Sequence, residues 1–231
     1  MASIIDAAEE SITDKLCAIK YIIYTIPVFA SYMLYDLKLE LPFLVLSIMT
    51  LLMLLTIFKI TLNNVRNTKE YVLPRWNPFV FIFEMIKLIL VMLPFCAIFG
   101  GIGYFLTLVQ IPPVIDNIQN IYTTIIWLII GSIILTGFVF YSKSESLLET
   151  YNFHKISNYC ADFLITSIFA IPKIILLNLS TLGIITYIFH FFFGLDNYVY
   201  AFICSLAISI NTVILAHYYA QADYESVKHN C

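Results

Sequence analysis

Residues 73–94 read LPRWNPFVFIFEMIKLILVMLP. The run is greasy enough for lipid, yet Glu84 and Lys87 stand inside it. The apolar character continues to residue 110. One helix over 77–110 would be about 51 Å long at about 1.5 Å per residue, whereas a bilayer core is about 30 Å thick. Part of the run must therefore lie elsewhere. At about 100° per residue, Asn77, Glu84 and Lys87 share one side, and Phe79, Phe81, Ile82, Phe83, Met85 and Ile86 cover the rest. The pattern predicts an interfacial helix over 77–89 on the cytoplasmic surface. The crossing helix then starts near 90, with Pro94 marking the bend because proline removes one helix hydrogen bond. At mid-bilayer each charge would cost about 2.5–3.5 kcal/mol on insertion scales; at the surface both reach water.

Composition places the rest of the chain in the same solvent. The sequence is 61% hydrophobic and 12% charged, against roughly 45–50% and about 25% in soluble domains. Phe and Tyr dominate the 16% of aromatic residues, which suits lipid-facing and headgroup-level surfaces. The net charge of −3 and the absence of a basic tract give no reason to expect nucleic acid. Residues 1–14 hold Asp6, Glu9, Glu10 and Asp14 and no Lys or Arg, the reverse of a secretory leader. Membrane insertion is expected to rely on the first span.

Six spans are expected, at about 17–35, 41–61, 90–110, 120–141, 171–193 and 197–219, each long enough to cross the bilayer as a helix. Strands would leave backbone groups unsatisfied in lipid. The fold class is therefore all-α integral membrane, one polytopic domain over 1–231. With the N-terminus inside, the inner segments hold Lys15, Lys20, Lys59, Arg66, Lys69, Arg75, Lys143, Lys155 and Lys228, and the outer loops hold Lys38. Nine against one satisfies the positive-inside rule with both termini cytoplasmic. The five cysteines then fall in helices or on the reducing side, where disulfides are not expected.

A layout recurs along the chain. Asp162 precedes Pro172 by the same interval at which Glu84 precedes Pro94, and Asn158, Asp162, Thr166 and Lys173 form a second polar stripe. Gly103 and Gly183 follow in the crossing parts, and Pro27 lies inside the first span. We read three hairpins, with amphipathic interfacial helices at about 3–16, 77–89 and 157–170 preceding spans 1, 3 and 5. Chance is the competing reading, because prolines are common in membrane helices.

The candidate site residues are Glu84, Lys87, Asp162, Lys173, Asn178, His190 and Asn211. Glu84 and Lys87 read as an ion-coupling pair or, preferably, as a surface pair one turn apart. Asp162 and Lys173 are too far apart to pair directly, and a surface stripe is again preferred. Asn178, His190 and Asn211 would line a polar path, or, more ordinarily, bond across helices. The small residues Ala97, Gly100, Gly101 and Gly103 read first as a helix-packing surface and second as a break lining a cavity. His217 and His229, near Asp223 and Glu225, are weak metal evidence. Glu9 and Glu10 are paired as in one class of intramembrane protease, but no Arg follows at the needed spacing. There is no Gly-x-Ser-x-Gly elbow, no His-Glu-x-x-His and no nucleotide motif. No catalytic, metal or cofactor residue is assigned, and an enzyme is not expected.

Three stretches carry a resemblance: LPRW at 73–76, FVFYSKSESLLETYNFHKISNY at 139–160 and AHYYAQADYE at 216–225. Together they resemble a family of bacterial and archaeal multi-pass membrane proteins catalogued only as a domain of unknown function, over about residues 40–226. Arg75 stands where that family would have an acid, and Ala220 where a glycine before Gln221 is usual. The resemblance implies topology and a prokaryotic inner membrane, and no chemistry. The sequence therefore points to a non-enzymatic membrane scaffold or partner subunit, in contact with lipid and with a membrane protein or a second copy of itself. The alternative is a small transporter or channel subunit with a polar path between helices.

Overall fold

The computed structural model describes residues 3–14, 16–67, 72–74, 77–108, 118–194 and 197–229. At 118, 147, 148, 153, 156, 160–162, 164–167, 169, 171 and 224–229 it describes the backbone alone. Lys15, Lys69, Arg75, Trp76 and most of the connection at 110–119 lie outside the described residues. What is described is helical, with no strand. The elements are α1 (Ile4–Thr13), α2 (Cys17–Asp36), α3 (Glu40–Arg66), α4 (Pro78–Thr107), α5 (Ile118–Ser144), the short α6 (Leu147–Thr150), α7 (Phe153–Asn178), a π-helical turn (Leu179–Gly183), α8 (Ile184–Phe192) and α9 (Tyr198–His229).

Six helical stretches are long and apolar enough to cross a membrane: Cys17–Asp36, Glu40–Arg66, Pro78–Thr107, Gln119–Ser144, Pro172–Phe192 and Tyr198–Asp223. They are compatible with an integral membrane protein. Their outward faces are apolar: Leu93 is 62% exposed, Phe105 72%, Leu176 68% and Phe192 74%. In water such a surface would drive association; in lipid it costs nothing. The third stretch is one unbroken helix from Pro78, whereas the sequence divides it near 90. At about 1.5 Å per residue it is about 45 Å long, enough for a core crossing of about 30 Å and a further stretch outside it.

Local chemistry sets the helix starts. Asn77 Oδ1 accepts from the N–H groups of Phe79 and Val80 at 3.2 and 3.4 Å. Asn152 Oδ1 does the same for His154 and Lys155, and Asn197 Oδ1 for Val199 at 2.9 Å. An asparagine thus caps α4, α7 and α9, satisfying donors that have no helical partner. Pro78 follows its cap at the one helical position where a missing N–H is harmless. Pro94 is different, because it deprives the Leu90 carbonyl of its helical donor. The Tyr151 hydroxyl replaces that donor, at 3.2 Å from Leu90 O and 3.0 Å from Val91 O.

By internal contacts the chain divides into two compact units, Met1–Met85 with Pro172–Cys231, and Ile86–Ile171. The sequence reading treats 1–231 as one domain; the dividing points fall inside α4 and inside α7. The first unit packs α2, α3 and α9 on one another around Tyr21, Tyr24, Met53, Ile57, Leu73, Phe81 and Val213. In the second, Phe95 and Phe140 are buried with Met92, Phe99, Ile133 and Tyr159 around them. There the Phe95 ring of α4 lies against α5 where Gly137 has no side chain: a Cβ would lie 2.5 Å from that ring.

Candidate functional site

Two polar centres lie in the first unit. One is ionic. Asp14, just beyond α1, has a side chain 1% exposed. Its Oδ2 accepts from the Leu73 backbone N–H at 2.6 Å and from Lys20 Nζ at 3.3 Å. Lys20 in turn donates to Leu73 O at 3.2 Å. Tyr24 donates its hydroxyl to Pro74 O at 2.7 Å, and Asn64 Nδ2 donates to Val72 O at 3.3 Å. The strap 72–74 is therefore held by side chains on three sides, and Leu73 itself is fully buried.

The same centre ties further elements together. Lys59 of α3, 4% exposed at its side chain, donates to Glu84 Oε2 of α4 at 2.6 Å. Arg66 lies 2.9 Å from Asp223, whose side chain is 1% exposed. His217 Nε2 is 2.7 Å from Glu10 Oε2, and the Ser3 N–H donates to Gln221 Oε1 at 3.1 Å. Buried charge is tolerated only when paired, and Lys59 and Asp223 each have an ionic partner on another helix.

The second centre is neutral and lies within two of the long apolar stretches, Pro172–Phe192 and Tyr198–Asp223. Asn211 Nδ2 donates to Asn178 Oδ1 at 3.1 Å and to Thr181 Oγ1 at 2.8 Å. Asn178 Nδ2 donates to Ile174 O at 2.9 Å, and Thr181 Oγ1 to Leu177 O at 2.8 Å. Thr181 belongs to the π-helical turn, which swings its hydroxyl toward α9. Asn211 is 3% exposed, and its Oδ1 has no hydrogen-bond partner among the described residues. Smaller polar links repeat the theme: Ser31 and Thr50 hydroxyls 3.0 Å apart, and Thr186 and Tyr200 hydroxyls 3.1 Å apart.

The sequence-derived candidates distribute among these centres unevenly. Glu84 belongs to the ionic one, with Lys59 as a partner; Lys87, half-buried, follows one turn later on α4. Asn178 and Asn211 meet directly. His190 does not join them: it is exposed on α8, about 18 Å along the axis from Asn178, with its ring edge-on to Phe191 at 5.3 Å. Lys173 is exposed and donates to the Tyr218 hydroxyl at 2.9 Å. The side chain of Asp162 lies outside the described residues. Gly103 faces Ile130 and Trp127 of α5, whereas Gly100 and Gly101 face open space. His217 is buried in the ionic centre, and the side chains of Glu225 and His229 lie outside the described residues. Among the described residues no three of His, Cys, Asp or Glu come together as a metal site would require.

Sequence weighed Glu10 only as a protease-like pair with Glu9 and Asp223 only as a weak metal neighbour, and it named Asp14, Lys59 and Arg66 only as charges; it placed none of the five in a polar centre. Lys59 had a signal, since it interrupts LLMLLTIFKITL much as Glu84 interrupts its own run. Comparison with protein-family models, with curated proteins and with solved structures finds no match to this chain.

Proposed function

We propose that this chain is a non-enzymatic scaffold or partner subunit of a prokaryotic inner membrane, crossing it six times as three hairpins with both termini cytoplasmic. The observation that carries the reading is where its polar groups go. Asn211 bonds to Asn178 and Thr181, whose own donors go to their helix backbone, and the buried charges pair across segments. Interhelical bonds of this kind hold a bundle together; a transport path needs them free for cargo.

The flank at 78–89 is read as the surface part of α4. Tyr151, in the connection before α7, touches α4 at Leu90 and Val91, which supports placing that connection and residue 90 at one depth. α1 and the first turns of α7 are read as the corresponding surface helices of the other two hairpins. The resemblance to the family of unknown function belongs to the same proposal. Two stretches that carry it, 73–76 and 216–225, include Leu73, Pro74, His217, Gln221 and Asp223, all engaged in the ionic centre.

Photo-crosslinking in cells from outward positions such as Leu93, Phe105 and Leu176 tests this. A scaffold subunit gives a discrete crosslinked partner or a dimer of itself. A chain that yields only lipid adducts and purifies alone contradicts it.

A second reading, a small transporter or channel subunit, draws on one observation: the unpartnered Asn211 Oδ1 beside a π-helical turn, a feature frequent at functional sites. Asn178→Cys and Asn211→Cys would then react with small aqueous thiol reagents. A sealed bundle leaves both unreactive.

A further inference from the structure

α2 ends at Asp36 and α3 begins at Glu40. The turn between them is a Schellman cap: the Lys38 N–H donates to Tyr35 O at 3.0 Å and the Leu39 N–H to Leu34 O at 3.1 Å. Lys38 takes the left-handed position at φ 55°, where glycine is the usual occupant. Beside this turn opens a cavity of about 560 Å³, lined by Tyr35, Asp36, Lys38, Glu40, Phe43 and Leu44 among others. That is within the roughly 300–1,000 Å³ of ligand sites.

We propose that this cavity binds the headgroup of a zwitterionic phospholipid, with its ammonium between Asp36 and Glu40 and its phosphate on Lys38. The proposal rests on the membrane reading above, because a turn joining two spans lies at headgroup depth. Charge complementarity carries the rest. The lining alternates carboxylate, ammonium and carboxylate, matching the ammonium and phosphate of one headgroup. The Tyr35 and Phe43 rings, 5.3 Å apart, offer the aromatic wall that cations favour. Leu44, 56% exposed, continues the cavity toward the acyl chains. Tyr198 donates its hydroxyl to Asp36 Oδ2 at 3.2 Å and orients that carboxylate.

The charges here also differ from those of the ionic centre. Among the described residues Lys38 and Glu40 have no ion-pair partner, whereas Asp14, Lys20, Lys59, Glu84, Arg66 and Asp223 are paired. A lysine held in left-handed backbone is sterically costly, and a phosphate for its ammonium gives that position a use.

The test uses the full chain in nanodiscs of phosphatidylglycerol carrying a minor share of phosphatidylethanolamine, with retained lipids counted by native mass spectrometry. Phosphatidylglycerol has the phosphate and no ammonium. The unmodified chain should enrich phosphatidylethanolamine about fivefold over its share, the scale of an exposed ion pair. Asp36→Asn with Glu40→Gln should bring the ratio to parity. Lys38→Gly should weaken retention of both lipids while relaxing the turn, so a folding defect is not the cause. Parity in the unmodified chain, or a preference that survives the double carboxamide, overturns the proposal. So does free ethanolamine binding in detergent as well as the lipid does, which would assign the cavity to a soluble amine. A chain that does not enter the disc is recognised before any lipid is counted; it defeats the membrane reading and this proposal with it.

Discussion

The Tyr151 hydroxyl donates to the Leu90 carbonyl, the acceptor that Pro94 leaves without a helical donor. Tyr151→Phe should destabilise the second unit by about 0.5–1.5 kcal/mol, the net worth of one hydrogen bond. In a Pro94→Ala background, where the helix supplies its own donor, the same change should cost little. Unfolding in mixed micelles of the four proteins of this cycle measures the difference. Equal losses in both backgrounds would show that Tyr151 acts through something other than Leu90.

Lys59 and Glu84 form an ion pair that joins two long helices, with side chains 4% and 18% exposed. Lys59→Met or Glu84→Gln alone should cost up to about 3–5 kcal/mol, because each removes one partner from a charge pair held in low dielectric. Replacing both by Met should recover most of that loss. A double variant as unstable as either single one would mean that further groups hold these charges.

Asn211 bonds to two side chains across the helix interface. Asn211→Leu should lower stability by about 0.6–2 kcal/mol, the measured range for interhelical bonds in membranes. The change should leave far-ultraviolet circular dichroism unaltered. A loss of helix content would instead place Asn211 in the formation of the π-helical turn.

The glycines of α4 and α5 should separate sharply. Gly137→Ala drives a methyl into the Phe95 ring, and overpacking of this kind costs about 1–3 kcal/mol. At Gly100 and Gly131 a methyl meets nothing, and alanine there should be neutral or stabilising by up to about 1 kcal/mol on helix propensity. Thermal unfolding in detergent compares them directly. Destabilisation at Gly100 in the membrane but not in detergent would point to a second chain against that face.

Six helices long and apolar enough to cross a membrane were legible, because apolar runs of that length have few alternative explanations; the start of the third, Pro78 and not 90, was not. The asparagine caps at 77 and 197 were also readable, each just before an apolar run, whereas Asn152 precedes the mixed stretch FHKISNY. The pairings were not. Glu84 meets Lys59, Asn178 meets Asn211 and Tyr151 meets Leu90 across long stretches of sequence. In a soluble helix, periodic polarity marks the inward face. Here both faces are apolar, so periodicity has no contrast and the inward side is not encoded locally. Two amides in spans 5 and 6 pointed to a contact between those spans; the third candidate, His190, has the same composition signal and a different position on the helix. The π-helical turn at 179–183 has no local signature in LSTLG that would set it apart from ordinary helix.

The central claim is that these helices cross a bilayer, and α3 tests it most directly. Lys38 and Arg66 flank its two ends, about 40 Å apart at about 1.5 Å per residue. In a chain whose own cysteines are replaced by alanine, Lys38→Cys and Arg66→Cys would each be exposed to a membrane-impermeant maleimide on intact cells. Position 38 should react at once, and position 66 only after the membrane is opened. Equal reaction at both positions before opening would contradict the account.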